Sequence, residues 1–155
     1  MKSFKEYVLE KKALGLYVCV RFTQESNDKL REYALSLGLD PIDDFHATVV
    51  YSEKPLNVPH GTLPYSDTLT PVGVRYLGDV DSEYRSLALE VTSEGLQSIF
   101  DNYVDNLGYE HAFDSYIQHV SLAYKPREDI DGINSILPNF TIQVDRITVN
   151  PLKKD

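Results

Sequence analysis

His46-Ala47-Thr48 and His119-Val120-Ser121 are the parts of this sequence whose residue types suit proton transfer. An imidazole ordinarily titrates near pH 6.5, so at neutral pH one of a pair can be neutral and the other protonated. The neutral ring takes a proton from an attacking hydroxyl, and the protonated ring gives one to a leaving oxygen. A positioned acid or base of this kind is worth about 10² to 10⁴ in rate. Residues two apart in a strand share a face, so each histidine stands beside its own hydroxyl, Thr48 or Ser121. Those hydroxyls suit hydrogen bonds to the non-bridging oxygens of a phosphodiester, a smaller electrostatic contribution. Ala47, Val49, Val120 and Leu122 then face the core.

A lone histidine on a strand is usually an ordinary half-buried side chain; an internal repeat argues otherwise here. VCVRFTQE, a helical stretch and HATVVYS correspond to LALEVTSE, a helical stretch and HVSLAY. Thr23 and Thr92 are 69 residues apart, and His46 and His119 are 73 apart, so the second copy has the longer loop before its histidine. Each copy reads as strand–helix–strand ending in a histidine strand. A pseudo-twofold arrangement of the two would bring both motifs to one cleft.

Apolar periodicity supplies the elements that must position them. Leu16 to Phe22 alternates, with Leu16, Val18, Val20 and Phe22 on one face. A helix over roughly 28–37 is capped by Ser26 or Asn27 and stopped by Gly38. Strands follow at Phe45 to Ser52, Pro71 to Leu77 and Tyr84 to Thr92, the last two joined by a turn around Gly78 to Ser82. Glu53 to Ser66, with three prolines and a glycine, reads as a loop. Ser93 or Thr92 caps a helix from Glu94 to Asn106 that Gly108 ends; Ile117 to Tyr124 is a strand, 130–137 a short helix, and Phe140 to Val149 a final strand.

The 155 residues suit one domain, read as 1–155 with lobes of roughly 14–80 and 81–150. A single cysteine, Cys19, excludes an internal disulfide and suits a reducing compartment. No stretch reads as a signal peptide or a membrane span, so a cytoplasmic protein is expected. The net charge of −9 argues against duplex DNA or long RNA, whose binding draws on Lys and Arg. It leaves room for a small nucleotide held by local contacts. No Cys-x-x-Cys, His-Glu-x-x-His or glycine-rich phosphate loop is present, so neither a metal nor another cofactor is expected.

Two His-x-Thr/Ser motifs on strands, one in each half of a small α/β chain, resemble the 2H phosphoesterase superfamily. The wider pattern, GLYVCVRF, FHATVVYS, IQHVSLAY and a terminal VNPL, is similar to the phage anti-CBASS phosphodiesterases over nearly the whole chain. The resemblance implies an α+β, two-lobed pseudo-twofold fold with antiparallel sheets lining a central cleft and helices outside. It also implies hydrolysis of cyclic di- and trinucleotide signals of bacterial defence, without a metal, inside the infected cell. One departure is that the chain has no tryptophan to set against a base, so tyrosine must serve.

Tyr17, Cys19 and Arg21 lie opposite the core residues of the first strand, on the face expected to line the cleft; their counterparts are Ser86, Ala88 and Glu90. Tyr17 suits stacking on a base. Tyr51, Tyr65, Tyr76, Tyr109, Tyr116 and Tyr124 stand near the strand ends and loops that would surround the cleft, most of them as core or rim, and Asn150 is within reach of a base edge. Arg21 reads as half of an ion pair, with Glu90 or another carboxylate. His60 and His111 read as surface residues, and Pro55 to Tyr65 as the candidate lid. Two other functions fit the motifs: a 2H enzyme acting on RNA 2′,3′-cyclic phosphates or 2′–5′ linkages, and a sponge that binds a cyclic nucleotide without cutting it. The acidic surface weakens the first, and a matched acid and base would be idle in the second.

Overall fold

The alternating segment Leu16–Phe22 is strand β1 in the computed structural model, which describes residues 15–53, 60–79, 81–83, 85–111, 116–124 and 137–151. Helix α1 spans Gln24–Ser36 and strand β2 His46–Ser52. A long strand β3 (Gly61–Leu77) precedes β4 (Ser86–Thr92). Helix α2 (Glu94–Asp101) runs on into a π-helical turn, Asn102–Asn106; β5 (His119–Tyr124) and β6 (Ile142–Pro151) complete the chain. The strands form one antiparallel sheet in the order β2-β1-β6-β3-β4-β5. This is the expected α+β fold with a pseudo-twofold between β6 and β3.

The two histidine strands are the edges of the sheet, and they approach each other as it curls. The repeat extends to the register of individual residues. Arg21 stands opposite His46 and Glu90 opposite His119; Cys19 stands opposite Thr48 and Ala88 opposite Ser121. Ala47, Val49, Val120 and Leu122 are all fully buried, as the alternation requires.

Both helices start at a hydroxyl. Thr23 caps α1 and accepts from the Ser26 N–H at 3.2 Å; Ser93 caps α2 and accepts from the Leu96 N–H at 3.2 Å. The expected Ser26 or Asn27 cap is therefore corrected to Thr23. Ser26 is buried, and its hydroxyl accepts from the Gln143 N–H at 2.8 Å, tying α1 to β6.

The expected loop over Glu53 to Ser66 is also corrected, because Gly61 onward belongs to β3. Among the described residues, 61–69 pair with β6 and 70–77 pair with β4. Pro64 stands opposite Arg146 in the ladder with β6, and the register shifts between Pro64 and Asp67, an irregularity of the kind at which strands tolerate proline. Of the candidate lid, residues 60–65 are the approach and start of this strand, and 55–59 lie outside the described residues, as do Tyr84 and almost all of the short helix expected at 130–137.

Asp67 joins the halves of the molecule. Its Oδ2 accepts from the Ser93 hydroxyl at 2.6 Å and the Tyr65 hydroxyl at 3.0 Å, while Oδ1 accepts from the Thr68 N–H at 2.7 Å. The cluster presses on Gly95 in the first turn of α2. A Cβ there would lie 2.5 Å from the Tyr65 hydroxyl and closer still to Asp67 Oδ2. Glycine-to-alanine changes in helices ordinarily stabilise by up to about 1 kcal/mol. Gly95→Ala is expected to do the reverse and cost about 1–3 kcal/mol by overpacking. Urea denaturation reads this directly, and a midpoint at or above the wild-type value would contradict it.

Candidate active site

The two histidines are held in the same way. His46 Nδ1 lies 3.0 Å from the Asp44 carbonyl oxygen, and His119 Nδ1 lies 2.7 Å from the Ile117 carbonyl oxygen. In each case the partner is two residues upstream. A carbonyl only accepts, so Nδ1 carries the proton and Nε2 is the working nitrogen of both rings. His46, Thr48, His119 and Ser121 all line one cleft of about 530 Å³, within the ordinary range for small-molecule sites. Tyr17 and Tyr124 line it too, together with Tyr51, His111 and Tyr116.

The halves differ in what surrounds the ring. Tyr17 OH is 2.8 Å from both His46 Nε2 and Thr48 Oγ1. When His46 is neutral, Tyr17 donates to Nε2 and Thr48 donates to Tyr17; when His46 is protonated, both bonds reverse. Burial pushes the Tyr17 phenol up to about 12, so it stays neutral through the working range. The counterpart of Tyr17 is Ser86, which accepts a long bond of 3.4 Å from the Ser121 hydroxyl and leaves His119 untouched. Among the described residues, no side chain is bonded to His119 Nε2. Burial chiefly, together with nearby His46 and Arg75, lowers the His119 pKa below the usual histidine value, against the opposing pull of the Ile117 carbonyl and Glu90.

Three sequence expectations are corrected by the surroundings of these strands. Cys19 does not line the cleft: it is fully buried, and its Sγ lies 3.0 Å from Thr148 Oγ1 on β6. Arg21 also lies outside the lining; it bonds the carboxylate of Asp44, whose carbonyl holds His46, while Glu90 pairs with Arg75 at 3.8 Å. His111 is not a surface residue. It lines the cleft, accepts from the Tyr51 N–H at 3.4 Å and packs edge-on to Phe100 and Tyr116; burial lowers its pKa. His60 is exposed, as expected. Asn150 stands opposite Tyr17 in the β1–β6 ladder, exposed and outside the cleft lining.

Of the six tyrosines expected around the cleft, Tyr51, Tyr116 and Tyr124 line it and Tyr65, Tyr76 and Tyr109 do not, whereas His111 lines it against expectation. Tyr51 carried a usable signal, since it lies 73 residues before Tyr124, the offset of the two histidines. His111 carried none, because irregular backbone brings it in. Among the described residues, no three His, Cys, Asp or Glu side chains gather in a way that could hold a metal ion, and no helix is long and apolar enough to cross a membrane.

Comparison with known proteins places this geometry in a family. A family model described as "Anti-CBASS protein Acb1" matches residues 14–155. A protein of that description from Escherichia phage RB16 is 33% identical over 150 residues, covering 94% of this chain and 82% of the relative. Another, from Enterobacteria phage T4, is 31% identical over 128 residues, covering 80% and 78%. A solved structure described as "Crystal structure of phosphoesterase" superposes with a TM-score of 0.55 over 92% of this chain and 90% of its own. At 12% identity that likeness concerns the fold alone.

Proposed function

This chain belongs to the anti-CBASS Acb1 family, and from that premise we propose that it is a phosphodiesterase that cuts 3′–5′ bonds of cyclic di- and trinucleotides without a metal, using His46 and His119 as its acid–base pair. The observation that carries this reading is the matched pair of imidazoles. Each has Nδ1 spoken for by a backbone carbonyl, and both line one cleft of nucleotide size.

The asymmetry of the halves supports one division of roles. His119, whose pKa burial lowers and whose Nε2 bonds no side chain among the described residues, is the base that takes the proton from the ribose 2′-hydroxyl beside the scissile phosphate. The 2′-oxygen bonds to phosphorus as the bond from phosphorus to the 5′-oxygen breaks. His46 gives its proton to that departing oxygen. Tyr17 suits the acid side, because its oxygen accepts from a protonated Nε2 while its own proton turns to Thr48. Thr48 and Ser121 bond the non-bridging oxygens. The product is a 2′,3′-cyclic phosphate, which water can open with the two roles exchanged.

The test is incubation with a panel of cyclic di- and trinucleotides in EDTA, beside an RNA ending in a 2′,3′-cyclic phosphate, read by chromatography. Cyclic nucleotides are expected to be cut at the same rate with and without chelator. Their recovery intact from a stable complex would make the protein a sponge, and preference for the RNA end would move the substrate class.

A further inference from the structure

The two ladders that carry the histidines break at the same step. Opposite Val18 and Cys19 the partner moves from Val50 to Thr48; opposite Leu87 and Ala88 it moves from Ala123 to Ser121. Val49 and Leu122 are therefore extra residues, one bulge in each half at the same place. A bulge reverses the alternation beyond it. Strict alternation would put Val50 and Ala123 beside the histidines and turn Tyr51 and Tyr124 into the core. Instead Val49 and Val50 are both buried, as are Leu122 and Ala123, and the two tyrosines line the cleft. Tyr124 is 52% exposed, a large ring left facing solvent in the concavity.

The Tyr51 ring is braced edge-on by Tyr17, at 5.8 Å and 84°. Tyr17 stands directly opposite Tyr51 and reaches His46 Nε2 with its hydroxyl. A residue at that level of the strand is thus within a side chain's length of the imidazole, and within a nucleoside's length of a phosphate held there. The other half repeats the spacing, with Tyr124 five residues beyond His119 as Tyr51 is beyond His46.

We propose that Tyr51 and Tyr124 are a pair of stacking platforms for the two nucleobases that flank the scissile phosphate, one platform from each half. The inference rests on the phosphodiesterase reading above. It assigns as the recognition unit a base on each side of the cut bond, which a cyclic dinucleotide supplies by its own symmetry. Every base has a π-face, so this contact sets affinity without choosing the base.

Steady-state kinetics on a cyclic dinucleotide separate this role from the alternatives. Tyr51→Ala and Tyr124→Ala are each expected to raise KM about 5- to 150-fold with kcat within a few-fold and the melting temperature unchanged. Tyr51→Phe and Tyr124→Phe keep the wild-type KM, since only the ring is required. A dinucleotide lacking one base closes the cycle: it binds as weakly as an alanine variant, and adding the variant on that side costs nothing more. Alanine variants with wild-type KM, or phenylalanine variants as impaired as alanine, would overturn the platforms and leave the phosphodiesterase standing. Wild-type protein that cuts no cyclic nucleotide would remove both.

Discussion

His119→Ala is expected to lower kcat/KM for a cyclic dinucleotide by about 10²- to 10⁴-fold, and His46→Ala by a similar factor. The double variant should be little worse than either single one, because an acid and a base that act in one step fail together. The pH profile distinguishes the two rings. A base must be neutral in the free enzyme, and burial disfavours the charged form of His119, so its pKa lies below the ordinary 6.5. Activity therefore rises with pH through a value below 6.5, and at pH 7 most molecules hold His119 ready. His119→Ala is expected to remove that acid limb from what activity remains, whereas His46→Ala keeps it. If both variants retained activity within a few-fold of wild type, neither ring would be doing the chemistry. If the acid limb instead survived in His119→Ala and vanished in His46→Ala, the roles would be exchanged.

The largest effect is expected from the substrate. Replacing the ribose beside the scissile phosphate by 2′-deoxyribose removes the proposed nucleophile while leaving bases, phosphates and ring size in place. A hydroxyl held beside phosphorus acts at an effective concentration of about 10⁵ M or more, against the roughly 55 M of water, so cleavage of that bond should fall by at least about 10³-fold. Binding should be nearly unchanged, which inhibition of the native substrate by the deoxy analogue would measure. A deoxy substrate cut at the native rate would show that water attacks directly and that the 2′-hydroxyl is a bystander. A native linkage on the opposite side of the same ring serves as an internal control, since it should be cut in the same reaction.

Much of the arrangement was legible because it depends on local pattern. Alternation placed β1, β2, β4, β5 and β6 nearly where they are, and it put Ala47, Val49, Val120 and Leu122 in the core. The repeat paired His46 with His119, and the pseudo-twofold of the sheet carries both to one cleft. The readings that failed depended on partners distant in sequence. Pro64 marks a loop by composition, yet it lies within β3 opposite Arg146 of β6, beside a register shift. Ser26 looks like a cap, yet β6 takes its hydroxyl and Thr23 does the capping. Arg21 and Cys19 share a strand face with Tyr17, yet Asp44 and Thr148 claim them first.

What the sequence alone determined was therefore the chemistry available: two histidines, their hydroxyl neighbours, and a duplicated frame able to oppose them. Side-chain period and residue type are properties of a segment, so they survive without knowledge of its neighbours. Only the tertiary structure decided which face each tyrosine takes and which histidine has its pKa lowered by burial. A bulge is set by the ladder against another strand, and desolvation by everything packed around a ring; both are sums over contacts between residues far apart in the chain.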